Sequence, residues 1–256
     1  MNPTDQNPTA PPGEFGVNPI PNPPPAIPAE PFFDYADFFL FVGLSIPCLL
    51  IAALLVRGLR WLVPLREPIR LLLAQSIWYF LAFGCLAALF RFRYDRPFWR
   101  SLGWRPISVG AAAGAILAGP FLALVVGLLG SALRSPEINL PFEQMLGSTS
   151  TKVLLGILVV ILGPVAEELA FRGFLMPLLM RSLGPATGVI LTGVIFGSVH
   201  GYEYQWSWQY MSLISLAGCV FGWARYKTGS TVASSLMHST FNLMQFAAFL
   251  VQSRTL

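Results

Sequence analysis

Long apolar runs separated by short polar connectors fill the chain after residue 31. Most of these runs approach the ~20 residues that an α-helix needs to cross a bilayer. The pattern predicts an all-α fold, a polytopic transmembrane helix bundle with about seven spans. The predicted spans cover residues 38–56, 71–90, 107–133, 153–180, 185–200, 209–226 and 231–251.

The composition agrees with a membrane location and excludes other classes of protein. Hydrophobic residues make up 55% of the chain and charged residues only 11%, a balance outside the range of soluble domains. The net charge of +4 comes mostly from arginines between the apolar runs, and no basic face or recognition motif for nucleic acid accompanies them. We therefore predict a multi-pass integral membrane protein, in the plasma or inner membrane if the source is bacterial.

Two adjacent glutamates follow an almost wholly apolar run in the fourth predicted span. Glu167 and Glu168 are unusual there, because ionisable groups at bilayer depth cost at least a few kcal/mol each. Glu168 and Arg172 are spaced i, i+4 and can form an ion pair on one helical face. Glu167 points about 100° away and remains available for chemistry. The pair Gly163-Pro164 should kink this helix and free backbone carbonyls near the carboxylates.

Both histidines of the chain also belong to apolar segments. The fourth and fifth spans form a hairpin that turns near residues 182–185, and Glu167 and His200 each lie about 16 residues from this turn. They therefore have equal depth, and antiparallel neighbours can bring them together. His238 and Asn242 are spaced i, i+4 in the last span, where two neutral N–H donors can converge on an oxyanion.

Each of these features has a simpler interpretation when it is taken alone. A lone intramembrane histidine such as His200 is as often a hydrogen-bonded packing residue as a functional one. An isolated Glu168–Arg172 pair is more often structural than catalytic. Glu203 lies in an aromatic stretch typical of a membrane interface, so we expect it to be a solvated loop residue. Packing alone does not explain all three motifs on successive helices.

The three motifs together resemble those of a known family. Glu167-Glu168-Leu-Ala-Phe-Arg172, Phe196-Gly-Ser-Val-His200 and His238-Ser-Thr-Phe-Asn242 are similar to the signature motifs of the CAAX prenyl protease and bacteriocin-processing family. These intramembrane glutamate endopeptidases include the type II CAAX endoproteases. Members that act on CAAX proteins remove a C-terminal tripeptide after a prenylated cysteine. The resemblance covers residues from about 150 to 245 and no part of the first hundred.

This resemblance implies an intramembrane endopeptidase that acts on a membrane-associated peptide or protein, or on a prenylated CAAX-type substrate, without a cofactor. By resemblance, the catalytic residues are Glu167, His200, His238 and Asn242, and the supporting residues are Glu168 and Arg172. The first two would activate a water molecule, and the next two would stabilise the tetrahedral oxyanion. The expected partners are the substrate and the lipid bilayer.

Other functions remain open. Two histidines and a carboxylate could ligate zinc with an open position for water, although the chain has no His-Glu-x-x-His motif. A proton-coupled transporter or a non-catalytic scaffold of the immunity type could also use buried Glu, His and Arg side chains. A proton relay has no need of Asn242, however, and a scaffold would tolerate the loss of residues that are all present here.

We divide the chain into three parts. Residues 1–31 hold eleven of the 22 prolines and are predicted to be a disordered Pro-rich tail. Residues 32–145 are predicted to form the N-terminal transmembrane helices. Residues 146–256 are predicted to form the catalytic transmembrane core, which carries all three motifs.

Overall fold

The fold is all-α, as predicted. The computed structural model describes residues 31–138 and 148–252, so the predicted Pro-rich tail lies, apart from its last residue, outside the described residues. Within these ranges the helices are α1 Tyr35–Leu59, α2 Glu67–Tyr94, α3 Phe98–Ser101, α4 Val109–Ala132, α5 Thr149–Leu183, α6 Pro185–Val199, α7 Trp208–Thr228 and α8 Thr231–Gln252.

Several helices are suited to a membrane, and the protein is an integral membrane protein. Among the described residues, α1, α2, α4 and α5 are long and apolar enough to cross a bilayer. Helix α6 has only 15 residues and rises ~22 Å, less than the ~30 Å hydrocarbon core. Helices α7 and α8 have 21 and 22 residues but carry many polar side chains. The count of about seven spans therefore stays a prediction.

Helix α5 runs for 35 residues, and its winding changes along the way. Two segments, Leu158–Leu162 and Leu169–Leu175, are π-helical, and the short α-helical stretch Gly163–Glu168 separates them. Such π segments are rare and occur frequently at functional sites. The paired glutamates end the α-helical stretch, so the change in winding sets the directions of their side chains.

The first π segment leaves one backbone carbonyl without a partner inside the helix. The N–H of Gly163 bonds to the carbonyl oxygen of Leu158, five residues earlier. Pro164 has no N–H and cannot make the next such bond, which would go to Val159. Asn242 of α8 supplies the missing donor, because its Nδ2 atom lies 2.7 Å from the Val159 oxygen. The free carbonyl predicted from Gly163-Pro164 is therefore that of Val159, and it accepts a hydrogen bond from α8.

Helices α5 and α6 form the predicted antiparallel hairpin. The rings of Phe171 in α5 and Phe196 in α6 meet edge to face, with their centroids 5.1 Å apart. Steps of four residues away from the turn lead from this pair to Glu167 on α5 and to His200 at the end of α6. The two residues therefore lie at matching positions along the hairpin, as their equal distance from the turn predicts.

The N-terminal helices dock onto this hairpin through aromatic rings, and a buried carboxylate joins the first two of them to each other. The Phe33 ring packs edge to face on Phe174 of α5, with a centroid separation of 4.7 Å. Asp37 of α1 is fully buried and accepts a hydrogen bond from Arg93 Nη1 at the end of α2, across 2.9 Å. The aromatic contact therefore joins the N-terminal half to the segment that carries the motifs.

The connector between α2 and α4 is fixed to the start of α8. Thr231 Oγ1 donates to the carbonyl oxygen of Leu102 across 2.5 Å, and its backbone N–H donates to Gly103 across 2.9 Å. Gly103 has a φ of +72°, and a Cβ atom at this position would collide with the guanidinium of Arg225. Glycine is therefore required here both by backbone conformation and by the close approach of Arg225.

We expect Gly103→Ala to destabilise the protein. The left-handed conformation alone costs a residue with a Cβ roughly 1–2 kcal/mol, and the displaced guanidinium adds to this. Gly84→Ala is the matched control, because Gly84 lies within α2 with open space around it, and alanine there should be neutral or stabilising by up to ~1 kcal/mol. Thermal unfolding in detergent measures both variants. An unfolding temperature for Gly103→Ala at or above the wild-type value would contradict the prediction.

Candidate active site

Glu168, Arg172 and His238 form a buried hydrogen-bonded group. The side chains of Glu168 and Arg172 are fully buried, and Arg172 Nη1 donates to Glu168 Oε1 across 2.8 Å. His238 Nδ1 lies 3.0 Å from the same oxygen. Arg172 Nη2 donates to the carbonyl oxygen of Gly218 across 2.7 Å. The expected i, i+4 ion pair is therefore present, and it joins α5 to α7 and α8.

Aromatic rings enclose this charged group. Arg172 Cζ lies 4.4 Å from the centroid of the Phe196 ring, at a distance typical of a cation–π contact. The Phe221 ring stacks on the His238 imidazole, with centroids 4.5 Å apart and an interplanar angle of 20°. Both phenylalanines are buried. The walls of the site are thus apolar, and electrostatic interactions between the charged groups that they enclose are stronger than in water.

Glu167 differs from its neighbour in exposure and in bonding. Its side chain is 27% exposed, whereas that of Glu168 is fully buried. Glu167 Oε2 lies 3.8 Å from His238 Nε2, too far for a hydrogen bond, and this buried oxygen has no hydrogen-bond partner within the described protein. Each of the two carboxylates has one buried oxygen without a partner among the described residues, so they differ in two other ways: Arg172 neutralises the charge of Glu168, and only Glu167 is partly exposed.

The contacts of His238 fix which nitrogen carries a proton. A carboxylate paired with an arginine only accepts hydrogen bonds, so His238 Nδ1 must donate to Glu168. The neutral imidazole then presents the lone pair of Nε2 to Glu167. For Nε2 to act as a donor while Nδ1 donates to Glu168, the ring must carry both protons.

His200 lies just after the last residue of α6 and is half-buried. Its Nδ1 atom lies 2.7 Å from the carbonyl oxygen of Phe196, which only accepts, so Nδ1 is the donor and Nε2 carries the lone pair. Among the described residues, no direct hydrogen bond or ion pair joins His200 to Glu167. Their matching positions on the hairpin suit a contact through a water molecule.

Asn242 is half-buried one turn after His238 on α8. One of the two hydrogens on its Nδ2 atom is directed at the Val159 oxygen, across 2.7 Å. The second hydrogen remains for another acceptor. Asn242 therefore has a structural task that the sequence did not indicate, and this bond also holds its amide group in one orientation.

Glu203 is not the solvated loop residue that we expected. It lies between α6 and α7 and is half-buried, so that expectation is wrong. Burial raises the pKa of the Glu203 carboxyl, the charge of His200 acts in the opposite direction, and the charge of Glu167 raises the pKa further.

We expect Glu203 to make stability depend on pH. A carboxyl with a raised pKa binds more protons in the folded state than in the unfolded state, so stability should fall as the pH rises from about 4.5 through the raised value. Glu203→Gln should flatten this part of the profile. Exposed Glu137→Gln is the matched control and should leave the profile unchanged. Unfolding temperatures measured across the pH range test this, and an unchanged profile in Glu203→Gln would count against it.

Helix α2 contributes polar side chains that the sequence reasoning missed. Tyr79 packs against the same apolar cluster as Val159 and lies within electrostatic range of Glu167. Gln75 Nε2 donates to the Tyr79 hydroxyl across 2.9 Å. The two residues are spaced i, i+4 in an apolar span, the same signal that singled out Glu168 and Arg172.

The donor atoms do not assemble a metal centre. No group of three His, Cys, Asp or Glu side chains within residues 31–138 and 148–252 is placed to hold a metal ion. One nitrogen of each histidine is committed to a protein acceptor, Glu168 for His238 and the Phe196 carbonyl for His200. The zinc alternative therefore has no three-ligand set among the described residues.

The fold and the site together define a helical membrane protein with glutamate and histidine side chains assembled in its interior. Residues 149–244 match the model of the family described as Type II CAAX prenyl endopeptidase Rce1-like. This match confirms the resemblance carried by the three motifs and supports a CAAX-type membrane protease as the kind of function. The comparisons with curated proteins and with solved structures gave no match.

Proposed function

We propose that the protein is an intramembrane endopeptidase that uses Glu167 and His200 to activate a water molecule. The observation that carries the proposal is the partly exposed carboxylate of Glu167, which lies beside the fully buried carboxylate of Glu168 whose charge Arg172 neutralises. Only an acceptor with free capacity can take a proton from water. His200 Nε2, with its lone pair, is the second acceptor at the same level of the hairpin.

Hydrolysis then proceeds by addition of the activated water to the scissile carbonyl. Glu167 takes one proton of the water as its oxygen attacks the carbonyl carbon, and the carbonyl oxygen becomes an oxyanion. His238 in its doubly protonated form donates from Nε2 to this oxyanion, and the second N–H of Asn242 is the other donor. Collapse of the intermediate breaks the C–N bond, and Glu167 or His200 passes a proton to the leaving amine.

The surroundings of the site suit these roles. The Glu168–Arg172 pair sets the direction of Nδ1–H in His238 and leaves Nε2 facing Glu167. The hydrogen bond from Asn242 to the Val159 carbonyl holds the amide group of Asn242 against α5. A site whose donors are positioned before the substrate binds needs little reorganisation when charge develops in the transition state.

We propose a membrane-associated peptide or protein as the substrate, with a prenylated CAAX sequence as the first one to test. The apolar walls formed by Phe196 and Phe221, and the position of the site within apolar helices, suit a substrate that is already held in the bilayer. We also propose that the protein crosses the membrane several times, which would place a lipid-anchored cleavage site within reach.

The test is hydrolysis of a quenched-fluorescent prenylated CAAX peptide by the detergent-purified protein, beside the same peptide without the prenyl group. Each peptide is assayed with and without a strong chelator. We expect turnover of the prenylated peptide that survives chelation. Loss of turnover on chelation would instead support a zinc enzyme. Turnover of neither peptide would contradict the proposed CAAX-type substrate and favour a transporter or scaffold.

A further inference from the structure

The connector between α2 and α4 forms an open depression on the side of the molecule opposite the loop that follows His200. Its volume is about 670 Å³, within the range of ligand sites. The residues that line it are two prolines, two tryptophans and two arginines: Pro97, Trp99, Arg100, Trp104, Arg105 and Pro106. Arginine and tryptophan together are typical of the headgroup level of a bilayer.

The two arginines of the depression have no carboxylate partner. Arg100 and Arg105 are exposed, and neither forms an ion pair within the described parts of the chain. The Trp99 and Trp104 rings lie beside them with centroids 5.3 Å apart. The depression therefore combines two guanidinium groups without a carboxylate partner and two tryptophan rings. The guanidinium groups suit a phosphate ester, and the rings suit an apolar tail attached to it.

Arg225 lies directly behind the wall of the depression and is unusual in its own right. It is 93% buried, and its guanidinium packs against the backbone of Gly103, next to Trp104. Among the described residues it makes no hydrogen bond or ion pair, and its Nε atom is buried without a partner. Its charge is repelled by that of Arg105 and attracted by that of Glu168. Because the Glu168 carboxylate is already paired with Arg172, a bound anion would still reduce the repulsion between Arg225 and Arg105.

The wall of the depression is rigid. The Ser230 hydroxyl donates to the carbonyl oxygen of Arg105 across 2.6 Å and accepts from its backbone N–H across 3.3 Å. Thr231 fixes the preceding residues through its bonds to Leu102 and Gly103. The backbone that carries Arg105 is therefore fixed by the junction of α7 and α8 before any ligand binds, and a fixed backbone lowers the cost of binding.

From this arrangement we infer a binding site for a phosphate group at the α2–α4 connector, with Arg100 and Arg105 as direct ligands and Arg225 as a buried charge behind them. Guanidinium groups bind phosphate oxygens in pairs of parallel hydrogen bonds. The site lies at the ends of membrane-spanning helices, which favours the headgroup of an anionic phospholipid as the source of that phosphate. It is separate from the glutamate–histidine site and does not depend on the proposed hydrolysis.

The experiment follows thermal unfolding of the full chain in neutral detergent during titration with short-chain phosphatidylglycerol, short-chain phosphatidylcholine or inorganic phosphate. We expect phosphatidylglycerol to stabilise the wild type more than phosphatidylcholine does. Arg105→Gln and Arg100→Gln should each weaken the apparent affinity about fivefold. Both side chains are exposed, so the variants should unfold at the wild-type temperature without lipid. Arg57→Gln, an exposed arginine at the other end of the bundle, is the matched control and should respond like the wild type.

The arms of the titration distinguish the sources of the anion. A response to phosphatidylglycerol but not to inorganic phosphate assigns the site to a lipid headgroup, and the reverse assigns it to free phosphate. Equal stabilisation by phosphatidylglycerol and phosphatidylcholine would overturn the site, because the net negative charge would then have no role. A phosphatidylglycerol response that is unchanged in both Arg100→Gln and Arg105→Gln would overturn it as well.

Discussion

Glu167→Gln is expected to lower the rate of peptide hydrolysis by about 10²- to 10⁴-fold, the usual contribution of a general base. Glutamine keeps the size of the side chain but cannot take a proton from water. The unfolding temperature should change little, because Glu167 Oε2 has no hydrogen bond to lose within the described protein and the side chain is partly exposed. The measurement is single-turnover hydrolysis of the prenylated CAAX peptide, with thermal unfolding of the same samples.

Glu137→Gln is the matched control for this prediction. Glu137 is exposed after α4, so the same change of carboxylate to amide there should leave the rate unaltered. Full activity of Glu167→Gln would remove Glu167 from the mechanism. A variant that loses activity and unfolds at a much lower temperature would indicate a structural role for Glu167 instead. A rate loss at unchanged stability is therefore the result that distinguishes a catalytic carboxylate.

The parts of the site that the sequence predicted are those fixed by local geometry. Glu168 and Arg172 are four residues apart on one helix, so their ion pair follows from helical periodicity, and it forms although Arg172 lies in a π segment. The depth of Glu167 and His200 follows from the hairpin turn, because the rise per residue is nearly constant. The missing N–H of Pro164 likewise predicts a free carbonyl without knowledge of the tertiary fold.

The parts that escaped prediction depend on packing between distant segments. His238 contacts Glu168 across 70 residues of sequence, and only the rotation of α8 about its own axis decides that its Nδ1 atom faces that carboxylate. The bond from Asn242 to Val159 depends on the same rotation. The burial of Glu203 and the position of Tyr79 near Glu167 come from side chains of other elements. Periodicity within one helix carries no information on such contacts.

The ends of the helices likewise include features that the hydrophobic pattern predicts and features that it does not. The apolar run of the first span predicts residues 38–56, whereas α1 runs from Tyr35 to Leu59. At the start of the helix, Asp34 and Asp37 form a capping box, which extends the helix to Tyr35, ahead of the apolar run. A hydrophobic run indicates which residues face lipid, while the cap decides where the helix begins.

Arg172→Met is expected to produce the largest loss of stability, about 3–5 kcal/mol. The substitution leaves the Glu168 carboxylate buried without its cationic partner, and it removes the hydrogen bond to Gly218 and the contact with the Phe196 ring. Chemical denaturation in mild detergent measures the loss. Arg181→Met is the control, since Arg181 is exposed at the end of α5 and bonds only to backbone oxygens of the N-terminal segment.

The double variant Glu168→Gln with Arg172→Met separates stability from chemistry. Removal of both charges takes away the unpaired carboxylate, so the double variant should recover much of the stability that the single variant loses. It should not recover hydrolysis, because it lacks the carboxylate that accepts from His238 Nδ1 and directs Nε2 for the oxyanion. A double variant as unstable as Arg172→Met would show that the arginine acts through packing and not through its charge. A double variant with wild-type turnover would mean that His238 donates to the oxyanion without help from Glu168. His238 would then act as a neutral imidazole that carries its proton on Nε2 and accepts a hydrogen bond at Nδ1.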